Sequence, residues 1–185
     1  FLVTAASAAT GALTWMALSW KSGKPNSLGF ISGAIAGLVG ITPAAGYVNV
    51  GGGLLIGIIT AAVCYAALSW RIKAGLDESL DAWAVHGMGG FAGAILTGVF
   101  AVSAICGVGG LLEGNVMQFG IQILDAVIAV VYAFGMTFVI GWIINKTMGI
   151  GIIVQGGNYN TLARVLERLR PLLEDPALPK FGHGL

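Results

Sequence analysis

One histidine and two carboxylates stand in or beside the apolar stretches of this sequence, and they are its first candidates for chemistry. His86 lies five residues after Asp81, and Asp125 lies within a later apolar run. Ionisable side chains at membrane depth are costly and usually face a protein interior or a water-filled path. We therefore interpret His86 as a functional residue. The alternative is a neutral imidazole whose two nitrogens are hydrogen-bonded by neighbouring helices.

The other polar candidates also have local explanations. Asp125 stands about one and a half turns into a helical run, from where it can reach a membrane interface or pair with a hydroxyl. Asp81 opens a predicted helix, where a carboxylate satisfies free N–H groups and the positive end of the helix dipole. Thr42 precedes Pro43, and its hydroxyl can pair a backbone carbonyl that the proline frees. That local role of Thr42 is compatible with contact to a substrate.

No motif typical of an enzyme accompanies these residues in the sequence. There is no Ser-His-Asp set and no metal-ligand spacing, and the glycine-rich stretch 107–110 lacks the lysine of a phosphate-binding loop. Cys64 and Cys106 lie in apolar segments and are interpreted as free packing residues rather than as a disulfide or metal ligands. The sequence therefore predicts a protein that is not an enzyme and that needs no cofactor.

The elements that position the candidate residues are predicted to be membrane helices. Of the 185 residues, 57% are hydrophobic and only 9% are charged, whereas a soluble domain carries about 25% charged residues. The net charge of +1 gives no basic patch for nucleic acid. Helices satisfy their own backbone groups in lipid, and about 20 residues cross a hydrocarbon core of about 30 Å. Five stretches meet this length: 1–20, 27–48, 51–70, 82–105 and 119–145.

The basic residues predict which side of the membrane each loop faces. Within the first 150 residues, Lys and Arg occur only in the segments 21–24 and 71–73 and at Lys146. These three places share one side if all five stretches span, and the positive-inside rule makes that side cytoplasmic. We expect the loops 21–26 and 71–81 and the C-terminus to be cytoplasmic.

Glycine is frequent, with 30 residues, and its spacing predicts where helices approach each other closely. Gly29, Gly33 and Gly37 recur every four residues, and Gly40 follows three residues, about one helical turn, after Gly37. Such small-residue faces let membrane helices pack with their backbones nearly in contact. A second pair with the same spacing is Gly89 and Gly93.

The sequence divides into a transmembrane bundle, residues 1–150, and a tail, residues 151–185. The tail has one apolar face, a cap at Asn160 and a stop at Pro171, which together predict a short amphipathic helix. The residues of this face are Leu162, Val165, Leu166 and Leu169. This helix could lie on the membrane surface, dock a partner or pack under the bundle. Because Phe1 already stands in an apolar run without a preceding Met, we expect the sequence to begin within a longer protein.

Three segments resemble signature stretches of the Amt/Mep/Rh ammonium transporter family. They read SGAIAGLVGITPAAG (32–46), DAWAVHGMGG (81–90) and LTGVFA (96–101). The resemblance covers about residues 1–150. It implies an all-α membrane fold in which the five predicted helices are the last five of eleven spans, arranged as two inverted halves.

The resemblance also implies a function and partners. Ammonium or ammonia would cross the cell membrane through a narrow apolar pore in each subunit of a lipid-embedded homotrimer. His86 matches the second of two pore histidines, Thr42 a position near the pore, and Asp81 a structural acid at the start of its helix. A PII-type regulatory protein is the implied cytoplasmic partner. The alternative function is an ammonium sensor that signals through the tail. The first pore histidine is absent, and His183, in the tail, cannot replace it.

Overall fold

The computed structural model describes residues 1–23, 27–76, 78 and 80–148, and no β-strand occurs among them. The predicted tail, 151–185, and its amphipathic helix lie outside the described residues. The all-α class predicted from the sequence is confirmed for the part that is described. The elements are α1 (Leu2–Ser22), α2 (Ser27–Ile41), α3 (Val50–Lys73), a π-helix (Trp83–Gly87), α4 (Met88–Phe100), α5 (Ser103–Cys106), a 3-10 helix (Leu111–Glu113) and α6 (Val116–Met148).

Four helical stretches in the described part of the chain are long and apolar enough to cross a membrane. The helix α2, with 15 residues, is shorter than these four. The number of five spans therefore stays a prediction. The four stretches are Leu2–Lys21, Val50–Lys73, Trp83–Phe100 and Val116–Thr147.

The helix α2 ends earlier than the predicted stretch 27–48, at Ile41, and a series of turns follows it. The N–H of Thr42 bonds the carbonyl of Val39, three residues back, at 3.2 Å. The hydroxyl of Thr42 donates to the carbonyl of Leu38 at 2.7 Å and so replaces the missing α-helical donor. Since Pro43 has no N–H, the chain cannot resume a regular helix at this point. The hydroxyl thus pairs a backbone carbonyl locally, as predicted, but that carbonyl belongs to Leu38 and not to Val39, whose carbonyl loses its α-helical donor at Pro43.

The glycines of α2 are the points where the other helices approach it. A Cβ added to Gly37 would lie 2.9 Å from the carbonyl carbon of Ser7 on α1. A Cβ added to Gly33 would lie 2.6 Å from the carbonyl oxygen of Gly11. Gly40 contacts α3 on one side and α4 on the other, through Thr60 and Gly93 respectively. The close-approach faces predicted from glycine spacing are confirmed at Gly33, Gly37, Gly40 and Gly93.

Two apolar clusters form the core around these contacts. The first joins α1, α2, α3 and the π-helix, and the second joins α2, α3 and the turns between them. The long helix α6 begins at an asparagine cap, because the Asn115 side chain accepts the N–H of Gln118 at 3.1 Å. It packs chiefly against α4 and leaves most of its surface uncovered in this chain. The buried members of the clusters are Trp15, Ala36, Ala61, Cys64 and Val85, and Ile41, Ala44, Val48 and Ile56.

The predicted stretch 82–105 also ends early, at Phe100, because the backbone turns there. Ala101 has an extended ψ of 137°, and the N–H of Val102 bonds the carbonyl of Tyr47 at 2.8 Å. The connection to α6 is ordered around Glu113, whose carboxylate accepts the N–H of Ser103 at 3.0 Å. This connection therefore ties the end of α4 to the turns that follow α2.

Candidate functional site

His86 lies in the π-helix Trp83–Gly87, which joins the loop after α3 to α4. The N–H of Met88 bonds the carbonyl of Trp83, five residues back, instead of four. Single π-helical turns within α-helices are rare and occur frequently at functional sites. Ala84 and Val85 are buried in this turn, whereas His86 is exposed. The imidazole is therefore on the side of the turn that the described helices do not cover.

The buried side of the π-helix is packed on α3 and α2. The thiol of Cys64, on α3, donates to the carbonyl of Val85 at 3.7 Å. One turn later, Gly89 lets α4 approach both Cys64 and Val39 closely. A Cβ at Gly89 would lie 3.0 Å from the Cys64 sulfur. Cys64 is a free thiol in the core, as the sequence predicted. These contacts fix the buried side of the π-helix to α3 and α2, away from His86.

A buried arginine holds the loop that leads into the π-helix. Arg71, in the last turn of α3, is only 8% exposed. Its Nη2 lies 2.6 Å from Oδ1 of Asp81, and its Nη1 donates to the backbone carbonyl of Glu78. A buried charge is tolerated when it is paired and hydrogen-bonded in this way. The three residues form a cluster that we call the Arg71 clamp.

The Arg71 clamp changes the role expected for Asp81. The carboxylate that accepts an N–H group at the start of the helix belongs to Glu78 and not to Asp81. It accepts the N–H of Trp83 at 2.5 Å. The carboxylate of Asp81 pairs with Arg71, and its backbone carbonyl accepts the N–H of Val85 at 2.9 Å. Asp81 has a φ of 53°, in the left-handed region that non-glycine residues rarely adopt. It is therefore a turn residue held by an ion pair.

The remaining predicted residues lie away from the imidazole in the chain. Thr42 lies just after α2, a helix that also packs on the π-helix. Asp125 lies in α6 and is exposed in this chain. His86 and Asp81 share one turn region, but Thr42 and Asp125 belong to other elements. A separate cavity of about 310 Å³ opens between the ends of α2, α4 and α6, and its polar lining is Tyr47, Thr97, Gln118 and Gln122.

His86 is the polar side chain of a turn that is otherwise apolar. A neutral imidazole donates a hydrogen bond from one nitrogen and accepts with the other. The residues around it in the turn, Trp83, Ala84 and Val85, are apolar. The sequence proposed His86 as a functional residue, which stays a prediction, and it did not predict the π-helix or the role of Arg71. The signal available for Arg71 was a basic residue at the end of an apolar helix, ten residues before an acid.

Comparison with known proteins shows which family the chain resembles. A model of the Ammonium Transporter Family matches residues 1–158. The chain is 44% identical over 154 residues to the protein named ammonium transporter Amt1 of Archaeoglobus fulgidus, covering 83% of this chain and 39% of that protein. It is 43% identical over 144 residues to the ammonium transporter of Bacillus subtilis, covering 76% of this chain and 36% of that protein.

Solved structures agree with the sequence comparison. The Mep2 protein of Candida albicans superposes with a TM-score of 0.78 at 33% identity, over 97% of this chain and 42% of that one. The Mep2 protein of Saccharomyces cerevisiae gives a TM-score of 0.75 at 34% identity, over 79% of this chain and 34% of that one. The chain spans about two fifths of the length of these relatives.

Proposed function

Because this chain belongs to the ammonium transporter family, we propose that it forms part of a path for ammonium or ammonia across the cell membrane, with His86 on that path. The observation that carries the proposal is the exposed imidazole on a π-helical turn of an apolar, membrane-length segment. In lipid such a group is costly, so a pore or another protein surface is the environment that it fits. Thr42 lies near the same path in this proposal, and Asp81 keeps a structural role.

The physical chemistry favours an imidazole over a charged side chain at this place. A bare ammonium ion that enters an apolar pore loses several kcal/mol or more of hydration, whereas neutral ammonia loses far less. A histidine offers hydrogen bonds to either species without adding a fixed charge. It can hold ammonia in line or pass a proton, and both are compatible with the exposed position of His86.

The proposal extends to the assembly and its orientation. Four basic residues lie in the last turns of α1, α3 and α6: Lys21, Arg71, Lys73 and Lys146. By the positive-inside rule, we place these C-terminal helix ends at the cytoplasmic side. Family membership supports a homotrimer in the cell membrane, a cytoplasmic tail and a PII-type regulatory protein as partner. The apolar surface that α6 and α2 leave uncovered fits contact with lipid and with further protein.

Uptake of labelled methylammonium by cells that express the full-length protein tests the role of His86. Loss of one hydrogen bond to an ion or to its transition state costs about 1.5–3 kcal/mol, so His86→Ala should lower uptake roughly 10–100-fold. The matched control is His183→Ala, which removes the other histidine of this sequence and should leave uptake within about twofold. Surface protein is quantified for each variant.

Unchanged uptake and selectivity in His86→Ala would refute a role of this residue on the path. A full-length protein that binds ammonium without carrying it, and that changes a downstream signal, would instead establish a sensor. The two readouts are separable because uptake is measured in cells and binding is measured on the purified protein in detergent.

A further inference from the structure

We propose that Arg71 is a positioning residue for His86: through Asp81 and Glu78 it fixes the π-helix in the register that turns the imidazole onto the path. This inference rests on the proposed function of His86, since a path is needed for the position to matter. It assigns a transport role to a side chain that does not touch the path itself.

The guanidinium of Arg71 bridges two segments of the chain. Arg71 belongs to α3, whereas both of its acceptors, the Asp81 carboxylate and the Glu78 carbonyl, belong to the loop before the π-helix. Its side chain is 10% exposed, so water competes little for these bonds. The Nε has no partner among the described residues, and the loop contacts are made by the two terminal nitrogens. Arg71 therefore anchors the loop to α3.

The two residues that Arg71 anchors, Glu78 and Asp81, are also those whose hydrogen bonds start the π-helix. The side chain of Glu78 accepts the N–H of Trp83, and the carbonyl of Asp81 accepts the N–H of Val85. Asp81 has a φ of 53°. Such a backbone conformation persists only where surrounding contacts hold it, and the short bond to Arg71 is the contact that holds this one. Two successive hydrogen bonds therefore link the guanidinium to the π-helix through Asp81, one to its carboxylate and one from the N–H of Val85 to its carbonyl.

The π-helix is also fixed at a second point, so the Arg71 clamp controls its register. Cys64 holds the carbonyl of Val85 from α3, and the rings of Trp70 and Trp83 lie 5.7 Å apart. In the π-helix a backbone hydrogen bond joins residues five apart, whereas in α4 it joins residues four apart. A shift of one residue in an α-helix rotates a side chain by about 100°, because the helix has 3.6 residues per turn. Loss of the clamp would allow that shift, and His86 would leave its orientation.

Purified full-length protein in liposomes allows the test, with the rate of methylammonium uptake measured against concentration per folded molecule. We expect Arg71→Gln to lower the maximal rate about tenfold or more, as for loss of an oriented group, while KM changes less than about twofold. Arg71→Lys should be intermediate, because an ammonium can pair with Asp81 but cannot also reach Glu78 through a second nitrogen. The double variant Arg71→Gln/Asp81→Asn should be no slower than Arg71→Gln alone, since the two act as one unit.

The matched control is Lys73→Gln, which removes the same charge two residues later from an exposed side chain. It should keep the parental rate. A residue with a merely structural role would reduce the amount of folded protein but not the rate per folded molecule. A parental maximal rate per folded molecule in Arg71→Gln therefore overturns the inference, even when less protein folds. If Arg71→Gln does not fold, Arg71→Lys and Glu78→Ala decide by the same criterion.

His86→Ala is measured in parallel to separate this inference from the proposed function. Parental uptake in His86→Ala refutes the function of the histidine, whatever Arg71 does. Reduced uptake in His86→Ala together with parental uptake in Arg71→Gln refutes only the positioning role.

Discussion

The contact between α1 and α2 at Gly37 allows a prediction whose magnitude can be worked out from the structure. A Cβ in Gly37→Ala would stand 2.9 Å from the carbonyl carbon of Ser7 and 3.2 Å from the Cα of Ala8. Ordinary van der Waals separation begins near 3.4 Å. All the nearest atoms belong to the backbone, so no side chain can rotate away. The two helices would have to separate.

Separation would also break a buried hydrogen bond. The hydroxyl of Ser7 donates to the carbonyl of Gly37 at 2.9 Å, and Ser7 is fully buried. Overpacking of a filled site costs about 1–3 kcal/mol, and a lost hydrogen bond about 0.5–1.5 kcal/mol. We expect Gly37→Ala to lower the free energy of unfolding by about 2–4 kcal/mol, which at about 1 °C per kcal/mol for the longer full-length protein is at least about 2 °C in apparent Tm.

Thermal denaturation of the detergent-solubilised full-length protein, followed by the loss of the folded peak in size-exclusion chromatography, measures this effect. The matched control is Gly46→Ala, because nothing lies within 4 Å of a Cβ at that position. It should melt with the parent. If Gly37→Ala also melts within about 1 °C of the parent, the close approach of α1 and α2 is refuted, because an overpacked contact must cost more.

Two further predictions concern the turn after α2 and the sides of the membrane. Thr42→Val should lower the free energy of unfolding by about 1 kcal/mol, because the Leu38 carbonyl loses its hydroxyl partner, whereas Thr42→Ser should not. Apparent Tm measures both, and equal melting of Thr42→Val and the parent contradicts the reasoning. In a Cys106→Ser background, an impermeant maleimide should label Leu112→Cys in intact cells but Lys73→Cys only after permeabilisation. Labelling of Lys73→Cys from outside contradicts the orientation.

The sequence predicted the elements whose signal is periodic and local. Apolar length placed the long helices, and glycine spacing placed the contacts at Gly37 and Gly93, because both signals act within one or two turns. The local pairing of the Thr42 hydroxyl with a backbone carbonyl followed from its neighbour Pro43, although the identity of that carbonyl did not. These features needed no knowledge of the other helices.

The features that the sequence did not predict depend on partners distant in the chain. Nothing in the residues from Trp83 to Gly87 distinguishes a π-helix from an α-helix. Its register is set by Arg71 and Cys64, which lie 10 residues before Asp81 and 21 before Val85. Likewise, the early end of α4 depends on the carbonyl of Tyr47. Such tertiary contacts override local propensity.

The length of α6 has a consequence for where its polar residues stand. Its 33 residues measure about 50 Å at 1.5 Å per residue, well beyond a hydrocarbon thickness of about 30 Å. The stretch 126–144, between Asp125 and Asn145, contains 19 residues and no charge. As a helix it is about 28 Å long, which matches the hydrocarbon thickness by itself. An upright α6 would therefore leave Gln118, Gln122 and Asp125 in the headgroup layer. There they would form a hydrated polar surface beside the C-terminal end of α4, where Gln122 packs against Gly98.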